Sequence, residues 1–221
     1  PMNIGDYRMT ECYFIGIDPG LGGAFAILRV ENDKIVESNV YGVPVIKTKA
    51  KGKVKAKNEY DIAAISSILR PLYGKNVYVC LEKVSAMPGQ GTVSMFHFGE
   101  GFGIWKGIVG CLGFNLTLTT PLTWKSEWPN ELLKKVDKPD ILKIKTAEIN
   151  KLSAADRKKY KETKQEYKKE MDKAKKLAKD HARDLAKILY PNLRDSFELK
   201  KDDGKAEAVL IAEYTRRHHN G

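Results

Sequence analysis

The sequence predicts an α/β fold, a mixed five-stranded sheet with helices on both faces. Three observations carry the prediction. Residues 13–43 read as three short apolar strands joined by tight turns, the opening of an antiparallel meander. An apolar strand, a helix and a second apolar strand then follow, and a crossover of that kind pairs strands in parallel. The last third of the chain carries two segments of helical period.

Taken in order, residues 13–17 form the first apolar run. Gly22 and Gly23 turn it into a second run over 24–30, and Asn32 and Asp33 turn that into a third over 35–43. The segment KTKAKGKVKAK places a lysine at every second position from Lys47 to Lys57. On an extended chain these share one face. A solvated loop is the competing reading, and either form can touch phosphates. Asn58 reads as a helix N-cap with Asp61 at the N3 position. Ile62, Ile65, Ile68, Leu69 and Leu72 then give a buried stripe, which Gly74 ends. VYVCLE is a compact strand closing on a carboxylate. Gly99, Gly103 and Gly107 fall four apart on one face of the next helix. Each costs roughly 1 kcal/mol of helix stability against alanine, so close approach of another backbone is expected there. Both a second copy of the chain and the chain's own sheet qualify.

NLTLTT is the fifth strand, followed by Pro121 and the pair Trp124-Lys125. Beyond Trp128, lysine and glutamate dominate. Tyr160, Tyr167, Met171, Ala174, Leu177, His181, Leu185 and Ile188 trace a thin apolar stripe at helical spacing. This predicts a long helix over about 154–189, projecting at its N-terminal end, docked at its C-terminal end and stopped by Pro191. KAEAVLIAEYTRR is the last helix, apolar on nearly every face.

With 221 residues the chain is long enough for one well-cored domain with an elaboration. Residues 1–221 are read as one domain, with 130–173 as a lysine-rich helical insertion. Ordinary apolar and charged content excludes collagen-like, disulfide-rich and wholly disordered classes. No apolar stretch is long enough to span a bilayer, and the first residues lack a signal-peptide profile. Cys12, Cys80 and Cys111 form no Cys-x-x-Cys pair, so neither zinc nor a disulfide framework is expected. Cys80 and Cys111 lie in apolar runs and read as small core residues of a protein in a reducing interior. A formal net charge of +11 favours a polyanionic partner, nucleic acid before an acidic membrane. A basic protein kept soluble by its lysines is the competing reading.

Three apolar elements each carry a carboxylate where burial makes one expensive. Asp18 ends the first strand, Glu82 ends VYVCL, and Glu207 interrupts the last helix, with Asp202 and Asp203 at its mouth. An ionised carboxylate in such a place is tolerated when paired or when holding a metal. Convergence on metal accounts for all three at once. Asp203 precedes Glu207 by four residues and shares its helix face, whereas Asp202 sits off that face. A helix cap is the competing reading for one of the two aspartates. An all-oxygen set suits Mg²⁺ or Mn²⁺. Two such ions about 4 Å apart activate a water and stabilise the leaving oxygen of a phosphodiester. The four histidines offer no metal-ligand spacing.

GIDPG with its Gly-rich turn, then LEKV, PLTWK and KKDDGKAEAVLIAEY, resembles the RuvC-type Holliday junction resolvases of the RNase H-like superfamily. The resemblance is nearest to their phage and plant-chloroplast branches, where MPGQG, GFGIWKG and a lysine-rich lead into the last helix have counterparts. It covers about residues 14–45, 77–125 and 178–214; residues 130–173 have no counterpart. It implies an RNase H-like fold and a DNA endonuclease that resolves four-way junctions by paired symmetric nicks, using two Mg²⁺ (or Mn²⁺) ions per site. Asp18, Glu82, Asp202 and Glu207 match the family's metal-binding acids, with Asp203 a fifth candidate. Lys125 falls where the family has a lysine near the scissile phosphate, and Lys179 is a second such candidate. The loop after Glu82 becomes the junction-facing element, with Lys83, Met87, Gln90 and His97 as candidate DNA contacts. Ser85 stands where some members carry a stacking aromatic, and Phe96 reads as core.

Two nicks from one active site per chain imply a homodimer, with the glycine-spaced helix as the expected surface. The implied location is intracellular: the cytoplasm or nucleoid of a bacterial or phage-infected cell, or a DNA-containing organelle. The rivals are another RNase H-like nuclease, cutting RNA–DNA hybrids or acting as a transposase, and a non-catalytic junction-binding protein.

Overall fold

The computed structural model describes residues 11–49, 56–85, 91–134 and 136–219. Strands β1 (Glu11–Asp18), β2 (Ala24–Glu31) and β3 (Lys34–Gly42) form the predicted antiparallel meander. Asn32 and Asp33 both take positive φ, 49° and 63°, as a two-residue hairpin of right-handed twist requires. A short ribbon, β4 (Val45–Lys47) with β5 (Asn58–Tyr60), closes the base of the lysine-alternating segment, whose residues 50–55 lie outside the described residues. Asn58 therefore belongs to a strand. Asp61 is the N-cap of α1 (Ile62–Leu69), its side chain accepting from the Ala64 N–H at 2.9 Å. With the start shifted, Ile65, Leu69 and Leu72 face inward while Ile62 is 48% exposed, so the stripe is narrower than expected.

Strand β6 (Val77–Glu82) pairs parallel with β1, and after α2 (Thr92–Cys111) strand β7 (Asn115–Thr119) pairs parallel with β6. The five-stranded order is β3-β2-β1-β6-β7. Side-chain alternation assigns the two faces. Tyr13, Ile15, Ile17, Val77, Val79 and Leu81 pack with α1 and α2 through Ile65, Leu69, Trp105 and Val109. Phe14, Ala24, Ala26, Leu28 and Cys80 face the other way, against the C-terminal helices.

That second layer follows α3 (Pro121–Lys125), α4 (Pro129–Leu132) and α5 (Thr146–Ile149). It consists of α6 (Ala154–Leu189) and α7 (Asp203–His218). The long helix has the predicted bounds, but its docked face differs from the expected one. Leu177 and Ile188 are exposed, and Ala182 and Ala186 take the buried positions. Small side chains let α6 lie close on α7, which larger ones would hold away. Helix α7 lies directly on the sheet. A Cβ on Gly16 would stand 2.2 Å from both the Ala208 carbonyl oxygen and the Ala212 nitrogen, so only glycine fits there.

Three further expectations are corrected. Cys111 is exposed, because it ends α2 on the outer side, while Cys80 is buried as expected. Phe96 is 70% exposed rather than core. A Cβ on Gly99, Gly103 or Gly107 would meet nothing within 4 Å; Trp105, Ile108 and Val109 instead seat α2 on the sheet. Among the described residues no helix is long and apolar enough to cross a membrane.

Replacing Gly16 by alanine forces its methyl group into α7 backbone on both sides, and neither contact can yield by a side-chain rotation. The expected loss is about 3 kcal/mol or more of unfolding free energy, read as a lower urea midpoint with an unchanged slope. A variant within about 0.5 kcal/mol of the parent would show that α7 is not seated as described.

Candidate active site

The topology itself brings the first two acids together. Ile17 on β1 registers with Leu81 on the parallel neighbour β6, so Asp18 and Glu82 are the next residues along adjacent strands. Both share the parity of Cys80 and Gly16 and point to the α7 side. The first turn of α7 arrives at the same place. A Cβ on Gly204 would stand 3.1 Å from the Asp18 Oδ2, against the Gly22–Gly23 turn. Gly23 is held as tightly, with the Asp18 carbonyl oxygen 2.3 Å from where its Cβ would be. Glu207, one turn further along α7, and Asp203 complete the acidic group.

Electrostatics shows how crowded the group is. Burial pushes the Asp18 carboxyl up to about 7; the charges of Glu207 and Glu82 add to the rise, and the Gly20 backbone and Lys179 oppose it. Burial also raises Glu82; a hydrogen bond from Trp124 opposes this, the Glu207 charge reinforces it and Lys125 offsets it. The charges of Glu82 on β6 and Glu207 on α7 thus both reach Asp18 on β1.

Two lysines and a tryptophan hold the acids. Lys125 Nζ donates to Glu207 Oε1 at 2.6 Å, with both side chains mostly shielded. Trp124, fully buried on α3, donates from Nε1 to Glu82 Oε2 at 2.6 Å, and the Lys125 ammonium sits 4.9 Å from its ring centre. Thr120 caps α3, with Pro121 in its first turn, and this fixes Trp124 and Lys125 just beyond β7. From α6, Lys179 donates to Asp203 Oδ2 at 3.0 Å, and Arg183 Nη1 lies 3.6 Å from Asp203 Oδ1. Burial works against the Lys179 charge, but its bond to Asp203 and the charges of Asp203, Glu207 and Asp18 outweigh it and raise its pKa.

The two aspartates before α7 are thereby told apart. Asp202 is buried and turned away: Oδ2 accepts from the Leu199 N–H at 3.0 Å and Oδ1 pairs with Lys205 at 3.1 Å. It serves the local turn, while Asp203 pairs with Lys179 and Arg183 of α6. Lys83 is exposed, and its backbone N–H donates to the Thr119 carbonyl oxygen. His97 pairs with Glu100 at 3.1 Å on α2. Met87 and Gln90 lie outside the described residues. Sequence reading did not single out the role of Trp124, Arg183 or Tyr60, whose hydroxyl donates to the Pro19 carbonyl oxygen at 2.8 Å. For Trp124 the signal was present, as the neighbour of Lys125. Glu213 also went unnoticed. It is a buried acid in the same helix, satisfied by Tyr190, Arg216 and Arg217.

Whether these residues suit a divalent cation turns on two observations. Among the described residues no three His, Cys, Asp or Glu side chains form a ready-made metal-holding group. Glu207 and Asp203 are instead each paired with a lysine. The donor chemistry nevertheless fits a hard cation, with mutually repelling carboxylates and a buried Thr119 hydroxyl, beside Glu82 in register, that finds no hydrogen-bond partner. A cation binding there would take over the neutralising role of the lysines.

No protein-family model matches this chain, and no curated protein matches its sequence. The class rests on the architecture: sheet order, strand directions and helices on both faces are those of the RNase H-like fold, with a long basic helix added. That architecture is compatible with the nucleases and hydrolases of the superfamily.

The raised Asp18 pKa has a definite sign for stability. Its folded value lies above its unfolded one, so stability is lost as pH climbs from about 4 to about 7 and stays reduced above. Without divalent cations, Asp18→Asn is expected to raise unfolding free energy by on the order of 2 kcal/mol at pH 8. The gain should vanish near pH 4. Denaturant titrations in EDTA at both pH values read this directly; an equal effect at both would exclude the charge as its cause.

Proposed function

We propose that this chain is a metal-dependent DNA endonuclease that resolves four-way junctions. The observation that carries the reading is the meeting of Asp18, Glu82 and Glu207 at adjacent strand ends and the seated helix, where the charges of Glu82 and Glu207 act on Asp18 and that of Glu207 acts on Glu82. Asp18, Glu82, Glu207 and Asp203 are the residues that would hold Mg²⁺ or Mn²⁺; when bound, two ions supply an activated water and neutralise the leaving oxygen. Lys125 and Lys179 stand beside the acids as partners for the phosphate. The net charge of +11 supports a polyanionic substrate. The four sequence blocks that resemble those of RuvC-type resolvases favour the branched one.

Synthetic four-way junctions incubated with Mg²⁺ test the reading. Paired nicks near the branch point are expected, and Glu207→Gln should lower the rate by well over the roughly 10–100-fold seen when a residue merely supporting a metal site is lost. A protein that never nicks, or a Glu207→Gln variant of full activity, overturns it. Duplex and RNA–DNA hybrid substrates in the same assay separate the other RNase H-like activities. The lysine-held acids give the non-catalytic junction binder its one supporting observation, and binding without cleavage would favour it.

A homodimer through α2 belongs to the same proposal, supported by the open glycine face with Val93 and Phe96 exposed beside it. Since Gly103 has free space around it, Gly103→Leu should leave the fold intact. It is expected to shift the mass measured by light scattering from dimer to monomer. A folded variant that stays dimeric removes α2 from the interface.

A further inference from the structure

A cleft of about 470 Å³ opens directly beside the acids, with Glu82, Glu207, Lys125 and Lys179 along one side. Such a volume lies in the range of small-molecule and nucleotide pockets, roughly 300–1,000 Å³. Much of its remaining surface is apolar: Leu122 on α3, Leu132 and Leu133 at the end of α4, and Met171 and Ala174 on α6. Lys134 and Lys175 also line it. Leu122 is 69% exposed one turn from Lys125, a large apolar side chain left open beside charged groups.

We propose that this cleft receives one unpaired nucleotide of the DNA strand, its base between the leucines and Met171 and its phosphates on the lysines. The inference rests on the nuclease reading above and names what that site selects. Charge complementarity chooses the occupant. An apolar slot carrying four lysines fits a flat, weakly polar ring joined to phosphates. A base stacked inside intact duplex cannot enter, whereas one freed at a branch point can. Freeing it carries an unstacking penalty that is least where the stack is already broken. Leucine, methionine and proline side chains are suited to holding an unstacked base.

The same geometry gives a role to the chain between β7 and the docked part of α6. Leu132, Leu133, Lys134 and Met171 all come from the region that follows the last strand. Leu132 is buried, and the His181 ring pairs with the Glu131 carbonyl oxygen at 3.2 Å, tying α4 to α6. This region builds the far wall of the cleft, so it sets which DNA structure reaches the acids.

The test uses four-way junctions in which 2-aminopurine replaces single bases on either side of the branch point, titrated with the full chain in EDTA. The probe brightens when it leaves the stack, and the residues lining the cleft include no aromatic ring that would quench it again. A several-fold rise at one position is expected. Ala174→Leu, which narrows the slot on a helix that tolerates leucine, should remove the rise and weaken junction binding about tenfold, leaving duplex binding unchanged. If the wild-type chain binds and no position brightens, or if Ala174→Leu brightens like the parent, the cleft does not hold a base. Should junctions still be nicked with Mg²⁺ in that case, the nuclease reading stands alone. A rise that Ala174→Leu abolishes, without nicking under any divalent metal, keeps the cleft and rejects the nuclease.

Discussion

Everything at the acidic centre depends on one close contact between backbones, the seating of α7 on β1 at Gly16. With no side chain at that position, the Ala208 carbonyl and the Ala212 amide come down onto the strand. The helix start then meets Asp18 and the Gly22–Gly23 turn. A helix held off by even one methyl group would carry Glu207 and Asp203 away from the strand ends. The apolar residues of α7, buried on nearly all sides, supply the favourable burial that holds this contact closed. Glu213 is the one buried charge further along α7; two arginines neutralise it and the Tyr190 hydroxyl donates to it.

Much of the fold was legible because its signals are local. Short apolar runs set the strands, the Asn32–Asp33 turn set the pairing of β2 with β3, and helical period with a terminal proline gave α6 to the residue. What failed depended on tertiary neighbours. Asn58 and Asp61 are both good caps, and only the pairing of β5 with β4 decides between them. Leucine at 177 looks more buried than alanine at 178 in any hydropathy reading. Yet the close packing of α6 against its neighbours favours the smaller residue. The glycines of α2 implied a close neighbour that no described part of the same chain provides.

The acids were legible one by one, but their partners were not. An acid interrupting an apolar helix is visible in sequence; the lysine 82 residues away that bonds Glu207 is not. Likewise nothing in the pair Asp202-Asp203 states which one meets the α6 lysine. The choice is made by Leu199 and Lys205, which occupy the first aspartate, and by Lys179, which takes the second. The neutralising lysines also explain how such a centre survives folding: like charges in a poorly solvated place are offset by fixed cations until something else replaces them.

Helix α6 has a mechanical consequence. Its 36 residues make a rod about 54 Å long, whose buried residues among those described, Ala182 and Ala186, lie in its later turns. Lys179 and Ala174 lie near the fulcrum and the lysine-rich early turns lie at the far end. A displacement of the free end would be passed along the rod, less whatever the helix absorbs by bending, toward the wall facing Glu207.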